Sequence, residues 1–151
     1  MTIPAIDTSI FMIRALLADD METLRRLQAG LDGDESRVFA AMLTAAFNKA
    51  ANDKFGKGHT TADVIDFVAE ARARYVGPET VSAEDAEYVI RAALGEEDLA
   101  DAMSGYAFGQ AQTAMLVAIV RDAGLSSDEI DALLEVAARQ VRSFFERQGR
   151  R

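Results

Sequence analysis

The sequence predicts an all-α fold: a compact bundle of six or seven antiparallel helices forming one domain over residues 1–151. Three observations predict it. Apolar residues recur at spacings of three and four along most of the chain, which is the period of one helix face. Ser, Thr or Asp followed three residues later by an acid opens segment after segment, and glycine closes several of them. Ala, Leu, Glu, Asp and Arg outnumber Val, Ile and Thr, a balance that favours helix over strand, and both prolines, Pro4 and Pro78, fall outside the periodic segments.

An entry helix is expected over about 8–17, with Ile10, Ile13, Leu16 and Leu17 on one side. Asp19 with Glu22 has the spacing of a capping box for a short second helix that stops near Gly30. "LDGDES" (31–36) leads into a third helix of about 35–54, where Phe39, Met42, Leu43, Ala46, Phe47 and Ala50 share a face. Thr60 with Asp63 caps a fourth helix of about 61–75, whose buried stripe is Val64, Phe67, Val68, Ala71 and Tyr75. After the break "VGPET" (76–80), Ser82 with Asp85 caps a fifth, with Val81 and Ala86 placed as a hydrophobic staple and Gly95 as the stop.

The sixth helix, about 102–123, is the predicted centre of the bundle. From Ala102 to Val120 it carries no charge, and a helix apolar on all sides must be buried. Ser104, Gln110, Gln112 and Thr113 make it too polar for a membrane span. Its small residues, Gly105 and Gly109 among them, predict close approach by neighbouring helices. Gly124 ends it. Ser126 with Glu129 then opens a seventh helix, with the strongest stripe of the chain: Ile130, Leu133, Leu134, Ala137, Val141, Phe144 and Phe145.

A net charge of −9 argues against nucleic acid and against an anionic membrane surface as partners, since both repel an acidic protein. The terminal run "RQVRSFFERQGRR" carries five arginines against one glutamate. Cations suit a helix C-terminus, and the tail of about 147–151 is expected to fray. There is no cysteine, which removes disulfides, thiolate metal sites and cysteine nucleophiles. The N-terminus lacks the basic, apolar, small-residue order of a signal peptide, so a cytoplasmic location is expected.

One stretch raises the question of chemistry. "NKAANDKFGKGHTTADV" (48–64) holds all three lysines, Lys49, Lys54 and Lys57, and the only histidine, His59. It is no P-loop: the distant first glycine and the GK[ST] order are missing, and a helix precedes it. Two readings remain open. Lys54, Lys57, His59 and Thr60 form an anion-binding candidate at the start of the fourth helix, where free N–H groups and the dipole favour negative charge. Alternatively the stretch only connects two helices, with Gly56 as the cap of the first. His59 with Asp63, Asp66 and Glu70 makes a row that suits a solvated face better than a metal site, and no metal or cofactor is expected. "LDGDES" fails as a calcium loop, because Arg37 and Leu43 occupy the required glycine and glutamate places. Tyr106, Gln110 and Gln112 are expected to be buried polar groups. They would pair structurally or line a small pocket, since an unpaired buried amide costs about 1–3 kcal/mol.

The turn Lys54-Phe55-Gly56, the segment "ADVIDFVAEARAR" (62–74) and the stop "IRAALG" (90–95) resemble the recurring elements of a family of small all-helical bacterial proteins with no assigned activity. The resemblance implies a fold and no catalytic residue. The functional expectation is therefore a non-enzymatic helical protein acting through protein–protein contact, as a homo-oligomer (a homodimer) or with another protein. The exposed side of helix one, "IFMIRALL" (10–17), is the candidate face. The alternative is a binding protein for a small anionic metabolite at the 54–63 loop.

Overall fold

The computed structural model describes residues 3–77 and 79–149, with side chains from Ala5 onward. Among the described residues the protein is all-α: α1 (Ile3–Leu17), α2 (Met21–Ala29), α3 (Gly33–Phe55), α4 (Thr61–Arg74), α5 (Ala83–Ala93), α6 (Asp98–Asp101), α7 (Gly105–Ala123) and α8 (Ser127–Gly149). Their contacts group into two compact units, residues 1–46 with 126–151 and residues 47–125, the division falling inside α3 and just before α8.

The first unit holds α1, α2, the first part of α3, and α8. Its core is built from Ile6, Met12, Ile13 and Leu16 of α1, Val38 and Met42 of α3, and Leu134, Ala137 and Val141 of α8. Helices α1 and α8 run in opposite directions: Arg14 meets Asp131 at 2.6 Å, while Ala5 shares a cleft with Phe145 at the other end. Helix α1 begins five residues earlier than its stripe predicts, at Ile3. Pro4 thus lies in a first turn, where a missing N–H breaks no helix bond. Asp19 ends the helix instead of capping the next one. Its φ of 60° lets the Asp20 amide donate back to the Ala15 carbonyl at 2.8 Å, and aspartate tolerates this left-handed turn better than most residues. The cap of α2 falls one residue later than expected, with the Asp20 side chain accepting from the Thr23 amide at 3.2 Å. Asp32 and Glu35 cap α3 reciprocally, the role that the failed calcium loop left for them.

The second unit holds the end of α3 and α4 to α7. Helix α5 packs against α4, α6 and α7. Phe47, Val64, Val68, Ala86, Ile90, Met115 and Leu116 are buried in the core of this unit. The caps predicted from sequence form here as hydrogen bonds: Thr60 and Asp63 as a complete capping box, and Ser82 accepting from the Asp85 amide at 3.1 Å. Val81 and Ala86 are both buried. Pro78 in the predicted break lies outside the described residues.

The uncharged run is not helical from its start, since α7 begins only at Gly105. Ser104 is the N-cap of α7, accepting from the Ala107 amide at 3.1 Å, and the single turn α6 precedes it. Ser104 therefore serves the helix end and not its interior. Burial is complete only over the second half of α7, where nine of the residues from Ala111 to Val120 are buried. Tyr106 is 76% exposed and Gln110 is exposed, so the expectation that they are buried is corrected. A Cβ added at Gly105 or Gly109 would meet nothing within 4 Å, so none of the described residues packs closely against these glycines. Gly124, with φ 61° and ψ 40°, is a left-handed C-cap that returns N–H bonds to the last turn. After it, Ser126 and Glu129 cap α8 reciprocally. That helix continues through Arg147 to Gly149, so the part of the basic tail expected to fray is helical as far as Gly149. Arg150 and Arg151 lie outside the described residues. None of the helices among the described residues is long and apolar enough to cross a membrane.

Candidate functional site

The stretch 48–64 begins in the last turns of α3. Lys49 pairs with Asp53 one turn on, at 2.6 Å. Asn52 donates its side-chain amide both to the Asn48 carbonyl and to the Ala93 carbonyl at the end of α5. Gly56, at φ 59°, stops the helix as the sequence predicts, and its amide returns to the Asn52 carbonyl at 2.8 Å. Across the turn the Phe55 and Phe67 rings meet edge to face at 5.7 Å, which ties α3 to α4.

The four anion-binding candidates are put to different uses. Lys54 turns away from the loop to Asp122 in the last turn of α7, with Nζ 2.9 Å from Oδ2. The same ammonium sits over the Phe67 ring, 4.5 Å from its centroid, a cation–π contact. Tyr75, the C-cap of α4, donates its hydroxyl to the other Asp122 oxygen at 3.1 Å. The ammonium hydrogen bond is the main cause, with the phenol adding to it, that holds the Asp122 carboxyl below its ordinary value of 3.8 against the opposing effect of burial. Thr60 is occupied by the capping box, its hydroxyl accepting from the Asp63 amide while the Asp63 carboxylate accepts from the Thr60 amide at 2.9 Å. His59 places Nδ1 3.2 Å from the Gly56 carbonyl. A carbonyl only accepts, so Nδ1 carries the proton in that contact. Lys57 makes no hydrogen bond or ion pair among the described residues and stands exposed.

Negative charge also stands near this loop. Glu96 takes a two-pronged grip from Arg91, at 2.9 Å for each oxygen, and that hydrogen bonding is the first cause of its lowered pKa. The charge of His59 contributes last. The geometry thus spends Lys54 and Thr60 on holding helix ends, and it leaves Lys57 as the loop's own cation, with His59 bonded to the Gly56 carbonyl. Asp63, Asp66 and Glu70 are all exposed, with Glu70 paired to Arg74 at 3.1 Å. Among the described residues no group of three His, Cys, Asp or Glu side chains is placed to hold a metal ion.

Gln110 donates to the Tyr106 hydroxyl at 2.6 Å, one turn apart on the outer face of α7, while Gln112 is buried on another face. The three therefore do not line a common pocket. One feature escaped the sequence reading: a cleft of about 550 Å³ in the first unit, with apolar Ala5, Val38 and Phe145 and the acids Asp32, Asp34 and Glu35 in its wall. Its walls come from α1, from the start of α3 and from the end of α8, and no local pattern joins three such distant segments. On α1, whose exposed side is the expected contact face, the Phe11 ring is 60% exposed. "AIDTSIFMIRALL" (5–17) carries large apolar residues at more positions than one helix face can hold. Of the stretch 10–17, Met12, Ile13, Ala15 and Leu16 are buried, so the face left open is narrower than expected.

Comparison of the chain with protein-family models, with curated proteins and with solved structures finds no match.

Proposed function

We propose that this protein acts through protein–protein contact, as a homodimer, and not through a reaction that it catalyses. The observation that carries the reading is Phe11 on α1, a large aromatic ring 60% exposed. Ile10 and Leu17 lie beside it on the same helix and are only half-buried. Full burial of such a side chain is worth about 1.5–3 kcal/mol, which a lone chain leaves unrealised and an associated one recovers. Aromatic residues are also the side chains most enriched at the centres of interfaces.

The test is the mass in solution across a wide concentration range, measured by light scattering on the wild type and on Phe11→Ser, with circular dichroism to check that both fold. The wild type is expected to reach twice the 16.4 kDa of the chain, and Phe11→Ser to remain a single chain. A wild type that stays monomeric at millimolar concentration refutes the proposal.

A further inference from the structure

The open face of α1 has an order to its charges. Asp7, Phe11, Arg14 and Ala18 are all exposed and follow one another at steps of four, three and four, so they form a single stripe along the helix. Ile10 and Leu17 border it, half-buried. The acid lies one turn before the aromatic and the base one turn after it.

Asp7 makes no ion pair among the described residues. It lies in the second turn of α1, past the first turn where the helix dipole rewards an acid. Arg14 is held by Asp131 at 2.6 Å, yet its side chain stays 43% exposed. A guanidinium has five N–H donors, so one carboxylate does not exhaust it. Asp131 fixes the Arg14 head at the edge of the stripe and leaves it able to meet a second acid.

We infer that the occupant of this face is a second copy of the chain, seated on α1 antiparallel to the first, with Asp7 of each copy against Arg14 of the other. The inference rests on the self-association proposed above and names its partner and register. A two-fold axis crossing α1 between Ile10 and Phe11 puts Asp7 opposite Arg14 and Ile10 opposite Phe11, because each pair is equidistant from the axis. Symmetry then makes every contact twice: two ion pairs outside and two apolar contacts between them. Parallel pairing in register would set Asp7 against Asp7 and Arg14 against Arg14, which is repulsive at both ends. The stripe is complementary to itself in one direction only.

The experiment compares dimer constants from sedimentation equilibrium for the wild type, Asp7→Arg, Arg14→Glu, and an equimolar mixture of the two variants, with helicity checked by circular dichroism. Asp7→Arg places arginine against Arg14 twice and is expected to weaken the dimer about tenfold. In the mixture each variant finds opposite charge on the other, so association is expected to return. A wild type that never associates overturns both this inference and the proposal it rests on. A dimer that Phe11→Ser abolishes and Asp7→Arg leaves unchanged overturns the register alone. So does a weakened Asp7→Arg that Arg14→Glu fails to rescue. Should Arg14→Glu lose its helicity, the Asp7→Arg constant decides by itself: weakening upholds the register and an unchanged value overturns it.

Discussion

Asp122 sits where helix electrostatics disfavour it, an acid in the last turn of α7. Its contacts account for its presence: Lys54 on one oxygen at 2.9 Å and Tyr75 on the other at 3.1 Å. Together they join the C-terminal ends of α3, α4 and α7. Replacing Asp122 by Ala removes both contacts. The ion pair is about one-quarter exposed on each side, so its loss costs about 0.5–1 kcal/mol after screening by solvent. Loss of the Tyr75 hydrogen bond adds about 1 kcal/mol. Removing an acid from a helix C-terminus returns about 0.3–0.5 kcal/mol, which leaves a net loss of roughly 1–1.7 kcal/mol. For a chain of this size that lowers the melting temperature by roughly 2–7 °C, measurable by circular dichroism.

A double-mutant cycle with Lys54→Met isolates the pair, with an expected coupling of about 0.5–1 kcal/mol. The pH dependence gives a further check. Asp122 is held below 3.8 in the folded chain, so the unfolded chain binds its proton first as pH falls. The stabilisation is therefore complete well above the unfolded carboxylate's value, and it is lost as pH drops through and below that value. The gap between wild type and Asp122→Ala should narrow below about pH 4. An Asp122→Ala variant as stable as wild type at neutral pH, or a gap that stays constant to pH 2, would refute this reasoning.

Gly124→Ala should destabilise the chain by about 1 kcal/mol, read by urea denaturation. A Cβ there would meet nothing within 4 Å, so the cost comes from the left-handed backbone alone, and a neutral result would remove that account of the α7 stop. Lys57→Glu should leave the melting temperature within the small range typical of surface substitutions. Inorganic phosphate should stabilise wild type and Lys57→Glu equally, because Lys54 and Thr60 are already engaged. A phosphate-dependent shift present in the wild type and absent in the variant would make the 54–63 loop an anion site after all.

Much of the helical organisation was legible because helix ends are local. A cap joins residues three apart, so Thr60 with Asp63, Ser82 with Asp85 and Ser126 with Glu129 determined where α4, α5 and α8 begin before any tertiary contact is considered. The all-α class followed from those caps and from the spacing of apolar residues. Local reading failed where two caps competed, as at Asp19 and Asp20. It failed again at Ser104, where a cap stands inside a run that composition alone makes uniform.

Burial and partnership were decided in three dimensions. Nothing within a turn of Lys54 marks it for Asp122, 68 residues away, and its nearness to His59 in the chain suggested a shared role that the fold does not give it. Tyr106 and Gln112 lie six residues apart in the uncharged part of one helix, yet one is open and the other covered. Hydropathy is a property of a residue, whereas exposure depends on which other segments arrive beside it. The sequence by itself determined the helices and most of their ends. Only the tertiary structure decided that Lys54 is a tether and that Phe11 stands in solvent between an acid and a base, because both outcomes depend on contacts that span the chain.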